Sequence, residues 1–154
     1  MGESFIRRDA MTQRDDIPDP SSATEDAEII RTRQAIRDPL TYAIIGAAQK
    51  VHSALGPGFA EATYQAAMQK ELMNRKIPFE SQREFEVFYE DTLCGTYRPD
   101  LVVADRVIVE LKAVRELARD HWAQALSYLK ASRLPAALLL NFGRSSLEVN
   151  RLKN

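Results

Sequence analysis

At 154 residues, 45% hydrophobic and 28% charged, the chain reads as one soluble globular domain able to bury its own core. Its single cysteine, Cys94, excludes an internal disulfide and fits a reducing, cytoplasmic setting, and no charged-then-apolar leader announces a secretory signal. The net charge of −1 speaks against a polyanionic ligand, and the longest strongly apolar stretch, around Ala136 to Leu140, is far too short to span a bilayer.

Residues 1–37 mix Asp, Arg, Ser and Pro with few apolar residues. The run Asp16-Ile17-Pro18-Asp19-Pro20-Ser21-Ser22 cannot hold regular structure well, so a mobile tail is expected, with a helical piece near Glu25 to Ile36. Met11 stands as an alternative start to Met1. The folded domain is expected over residues 38–154. Asp38-Pro39 opens it as a helix start, a capping carboxylate followed by Pro at the first helical position. Leu40, Ile44, Ala47, Val51 and Leu55 recur at helical spacing and form its inward stripe. Gly56-Pro57-Gly58 ends it, with His52 in the last turn as a C-terminal charge or a packed residue.

A second helix is expected from about Phe59 to Arg75, with Tyr64, Ala67, Met68 and Leu72 inward. Glu61 falls on that same face in the first turn, where the helix N-terminus favours a carboxylate but a buried charge calls for a partner. Ile77-Pro78 breaks this helix. Phe85, Val87 and Tyr89 alternate with Glu84, Glu86 and Phe88 as a first strand. Glu90-Asp91-Thr92 turns into a second, from near Leu93 through Tyr97 to Val103, in which Cys94 packs as a small apolar residue. A third strand, Val107 to Lys112, pairs with it across Ala104-Asp105-Arg106.

Leu117 to Ala131 is helical, with Trp122, Ala125, Leu126 and Leu129 inward. Gln124 and Tyr128 sit side by side on one edge, and His121 is a surface residue. Ala136 to Phe142 is a continuous apolar run, as a central strand should be, and Leu147 to Leu152 is a last, more polar strand. Helix, helix, three strands, helix, two strands make an α/β sandwich around one mixed sheet.

Chemistry concentrates in the hairpin of residues 97–112. With the turn centred on Asp105, Val102 faces Ile108 and Asp100 faces Glu110, while alternation puts Ile108, Glu110 and Lys112 on one face. Opposed like charges are destabilising, so something must relieve them: a hard divalent cation, partial protonation, or Lys112 alone. No Gly-rich phosphate loop, zinc-ligand spacing or nucleophile elbow is present. Two acids with a nearby Lys suit metal-assisted hydrolysis. From Lys112 to the end eight basic residues face three acidic ones, which is compatible with nucleic acid beside a metal and equally with a solvated face.

Pro99-Asp100, a gap, then Glu110-Leu111-Lys112 resembles the signature of the PD-(D/E)XK nuclease superfamily. Gly58-Phe-Ala-Glu61-Ala-Thr-Tyr64 is similar to the Gly-x-x-Glu-x-x-Tyr motif of the GxxExxY proteins, a small branch of it. The likeness continues through Leu55-Gly-Pro-Gly58, Ile108-Val-Glu-Leu-Lys-Ala113 and Leu138-Leu-Leu-Asn-Phe-Gly143, and covers roughly residues 40–154. The resemblance implies a restriction-endonuclease-like αβββαβ core and Mg2+- or Mn2+-dependent phosphodiester cleavage, on DNA first of all. It implies Asp100, Glu110 and Glu61 as metal ligands, completed by the backbone carbonyl of Leu111, and Lys112 as the group that positions or activates water. Gln124-x-x-x-Tyr128 looks like a motif of some DNA-processing members, in which the Gln supports the active centre and the Tyr approaches nucleic acid. A homodimer is compatible with such an enzyme. The competing expectation is a catalytically silent module of the same fold that binds nucleic acid or a protein.

Overall fold

A computed structural model describes residues 38–154; the expected mobile tail and the helical piece expected near Glu25 to Ile36 lie outside the described residues. Helix α1 (Pro39–Leu55) begins where Asp38-Pro39 predicts, and the Asp38 carboxylate accepts the Thr41 hydroxyl at 2.7 Å. Gly56, at φ 67°, ends α1, because a left-handed residue cannot continue the helix. Helix α2 (Glu61–Asn74) buries Tyr64, Met68 and Leu72. The rest of the chain forms β1 (Phe79–Ser81), β2 (Phe85–Tyr89), β3 (Thr92–Tyr97), β4 (Leu101–Val103), β5 (Val107–Lys112), helix α3 (Arg119–Ser132), β6 (Ala136–Asn141) and β7 (Glu148–Lys153). No helix among the described residues is long and apolar enough to cross a membrane.

The expected single sheet is two. Five strands in the order β1-β4-β5-β6-β7 form the central mixed sheet, and β2 with β3 forms a separate ribbon. The strand expected to run unbroken from Leu93 to Val103 stops after Tyr97. Pro99 has no N–H to give a ladder, so the chain leaves the ribbon there and enters the large sheet at Leu101. Strand β1 is an additional edge strand. Its three residues are too few to show a period, and it forms by pairing antiparallel along β4. Cys94 is exposed rather than packed, because the ribbon register slips between Val87 and Phe88 and Cys94 has no residue opposite it.

The hairpin register is as expected: Leu101, Val102 and Val103 face Val109, Ile108 and Val107. Strand β6 lies parallel to β5, and α3 is the crossover that a parallel pair requires. Helices α1 and α2 cover one face, where Ile44, Ala47, Tyr64, Met68 and Leu72 meet Val107, Val109, Leu111, Leu138 and Leu140. Helix α3 covers the other, with Trp122, Ala125 and Leu129 against Val102, Ile108, Ala137 and Leu139. Each such side chain removed from water contributes about 1.5–3 kcal/mol, which is why the central strands carry no polar-out face. Among their side chains, Glu110 on β5 is a charge at 2% exposure.

Candidate active site

The site forms where β4 starts later than β5 ends. Leu101, the first residue of β4, already lies opposite Val109, so Glu110 to Lys112 extend past their neighbour. Side chains take over from the missing ladder. The Asp100 carboxylate accepts the Leu111 N–H at 2.8 Å, and the Glu110 carboxylate accepts the Asp100 N–H at 2.9 Å. The two acids are thus interlocked, each gripping the backbone next to the other. The Asp100 carbonyl accepts the Gln82 N–H at 3.3 Å and the Gln65 side chain at 3.4 Å.

Gln65 lies one turn along α2 from Glu61, on the same helix face, so it carries Glu61 toward Asp100. Glu61 is exposed at the first position of α2, not buried on the inward stripe as expected. Tyr64, where the expected stripe begins, is the first residue of α2 to enter the core, and the turn before it stays in solvent. Helix α2 ends instead with a buried acid at Glu71, held by Arg75 at 2.9 Å and Lys50 at 3.3 Å.

Burial sets the electrostatics. It pushes the Glu110 carboxyl up from 4.5 to about 8, helped by the charge of Asp100, while the Asp100 N–H and Lys112 oppose the rise. Burial also raises Asp100, with the charge of Glu61 adding to it and the Leu111 N–H and Lys112 pulling it down. The charge of Glu61 bears on both acids, so the three carboxylates share one neighbourhood.

Lys112, next on the Glu110 face, donates from Nζ to Gln124 Oε1 at 2.9 Å. The partners settle the amide orientation, since an ammonium can only donate. Gln124 Nε2 then donates to the Tyr128 hydroxyl at 3.1 Å, which leaves the Tyr128 proton free for another acceptor. Burial, then the charge of Glu110, raises the Tyr128 hydroxyl above its ordinary value. The Tyr128 ring meets Tyr97 of the ribbon edge-on at 6.1 Å. Gln124 and Tyr128 are thus bonded to each other and, through Gln124, to Lys112, with Gln124 exposed and Tyr128 half-buried. His52 is a packed residue bonded to the Arg144 carbonyl at 2.8 Å, and His121 accepts the Ala118 N–H at the start of α3.

Two residues behind the site carried no assigned role in the sequence. Asn141, fully buried at the end of β6, accepts the Val114 and Gly143 N–H groups at 3.0 Å each and donates to the Val114 carbonyl at 2.9 Å. With the Phe142 N–H on the Lys112 carbonyl at 2.7 Å, it pins the chain leaving β5. A polar residue closing an apolar strand was the available signal. Tyr97, the second, gave none, since its partner comes from the third helix.

The donor set suits a hard divalent cation. Its members are carboxylate oxygens, and their excess negative charge is costly where burial has removed water. Among the described residues no three Asp, Glu, His or Cys side chains already close round one point. Asp100 and Glu110 stand together and Glu61 waits at the rim. A model of the PD-(D/E)XK nuclease superfamily matches residues 38–152 of this chain. No curated protein and no solved structure matches it.

Proposed function

Since the chain belongs to the PD-(D/E)XK nuclease superfamily, we propose that it is a Mg2+- or Mn2+-dependent nuclease that hydrolyses phosphodiester bonds in DNA. The observation that carries this reading is the interlocked pair Asp100 and Glu110 with Lys112 on the same face, tied to Gln124. The Gly58 to Tyr64 motif supports a place within the GxxExxY branch.

Asp100, Glu110 and the Leu111 carbonyl would hold the ion, with Glu61 turning in from the rim. The Leu111 N–H already points to Asp100, and in an antiparallel pair a residue's N–H and C=O look toward the same neighbour, which supports the carbonyl's part. When bound, the ion supplies Lewis acidity toward the phosphodiester and acidifies water. The Lys112 ammonium, steadied by Gln124, orients the attacking water and offsets negative charge developing in the transition state. Tyr128 offers its free proton to a phosphate oxygen. A homodimer, bringing two sites to a duplex, and a cytoplasmic setting belong to the same proposal.

Labelled single-stranded, duplex and branched DNA, incubated with and without Mg2+, test the activity. Cleavage that needs Mg2+ and vanishes in Asp100→Ala supports it. A folded preparation that cuts none of these and takes up no Mn2+ by calorimetry would leave the silent binding module as the better account.

A further inference from the structure

Tyr64 is wholly buried, yet its hydroxyl is committed to a surface turn. It donates to the Gly56 carbonyl at 2.5 Å and accepts the Phe59 N–H at 3.2 Å. These two bonds close the turn between α1 and α2. That turn has no side-chain cap of its own, because Ala60 precedes the helix, and it holds Gly56 and Gly58 at φ 67° and 115°. Glu61 is the next residue but one after Phe59, so the direction of its side chain is set by how this turn lies.

The ring of Tyr64 fixes the other end of the distance. It stacks on Phe142 with centroids 4.7 Å apart and planes 21° apart, and the Phe142 N–H holds the Lys112 carbonyl at 2.7 Å. One side chain thus spans from the backbone that presents Glu61 to the strand end that presents Glu110 and Lys112. For core packing alone a Phe would serve, since a buried hydroxyl must find partners or lose about 1–3 kcal/mol.

We infer that Tyr64 is a positioning residue for the metal centre, its hydroxyl holding the Gly56–Phe59 turn so that Glu61 meets Asp100 and Glu110. This rests on the reading of Glu61 as a ligand. It assigns a physical task to the last residue of the Gly58 to Tyr64 motif, whose other members are the turn glycine and the acid itself.

The test uses the full chain and Tyr64→Phe, which keeps the ring and its stacking on Phe142. Without metal, the Phe59 amide is expected to lose hydrogen-exchange protection while the protection of β5 and β6 stays. Mn2+ titrated by calorimetry is expected to bind about tenfold more weakly, the size of effect that loss of an outer-shell support has on a metal site. In a Glu61→Gln background, Tyr64→Phe is expected to cause no further weakening, because the two act through one another. Should Tyr64→Phe fail to fold, Gly58→Ala strains the same turn at its φ of 115° with open space for the added methyl, and is expected to weaken Mn2+ likewise.

Mn2+ binding that is lost in Asp100→Asn but unchanged in Tyr64→Phe overturns the inference alone. So does a tenfold loss that persists undiminished in Glu61→Gln. Absence of Mn2+ binding in the unmutated protein overturns the inference together with the proposed function.

Discussion

Glu110→Gln should make the metal-free protein more stable, and by an amount that depends on pH. Glu110 is 2% exposed, and burial beside Asp100 lifts its carboxyl from 4.5 to about 8. The folded protein therefore holds a proton that the unfolded chain has released. The stability contributed by the protonated carboxyl is complete below about 4.5 and is lost as pH rises through about 8. Each tenfold in proton affinity is about 1.4 kcal/mol, so a rise of this size corresponds to on the order of 5 kcal/mol, shared in part with Asp100. Glutamine keeps the shape and can still accept the Asp100 N–H, but it never ionises. Urea unfolding in chelator, followed by the fluorescence of the buried Trp122, is the assay. At about pH 4.5 the two proteins should be close; at about pH 8 the variant should be ahead by roughly 1–4 kcal/mol, or at least about 5 °C in Tm. Mn2+ should restore the unmutated protein at the higher pH and leave the variant unmoved. A variant less stable at high pH, or an unmutated protein whose stability does not fall with pH, would refute the electrostatic account of the site.

Four further outcomes are expected. Lys112→Met should lower Mg2+-dependent cleavage by about 10²-fold or more, the size of effect of losing one transition-state charge partner, while Mn2+ affinity by calorimetry is kept. Gln124→Leu, which frees both Lys112 and Tyr128, should lower kcat by roughly 10-fold or more with metal binding intact, as misplaced catalytic groups do. Asn141→Ala should cost about 2–4 kcal/mol in urea unfolding, because it orphans the Val114 and Gly143 backbone groups in a buried place. Gly143→Ala should be as damaging or prevent folding, since the added methyl would lie 2.3 Å from the Val114 carbonyl oxygen, a backbone atom that cannot swing aside.

What the sequence revealed of the fold follows from where local pattern and long-range pairing agree. Gly56-Pro57-Gly58 and Ile77-Pro78 bound helices by chemistry that acts within a few residues, and both boundaries hold. The β4–β5 register was legible because Val and Ile runs on both sides of Asp105 leave few alternatives once both faces are buried. The split of residues 93–103 between two sheets was not, because alternation continues across Pro99 and only the lost N–H marks the break. Strand β1 was illegible for another reason: Phe79-Glu80-Ser81 becomes a strand because β4 offers it an edge, and no three-residue pattern encodes that. For the site, spacing alone brought Asp100, Glu110 and Lys112 together. The bonds from Lys112 to Gln124 and from Tyr64 to Gly56 depend on how helices dock, which periodicity does not specify.

The break at Pro99 and the acids beside it belong to one physical arrangement. A β4 longer by two residues would offer a backbone partner to Leu111, and the strand end would close into ordinary sheet. Pro99 ends that option, and the Leu111 N–H turns to the Asp100 carboxylate. Asp100 can fill that role because its side chain is short enough to mimic a ladder carbonyl from just outside the strand. The Asp100 N–H, left open by the same break, draws in Glu110. A proline followed by an aspartate is thus a device for ending one strand beside a longer one so that side chains, and not backbone, finish the hydrogen bonding. Carboxylates used this way are each anchored through one oxygen, Oδ2 of Asp100 and Oε1 of Glu110. Fixed, partly dehydrated oxygens at a sheet end are costly to keep charged in apolar surroundings, and on the proposed function a divalent cation would reverse that cost.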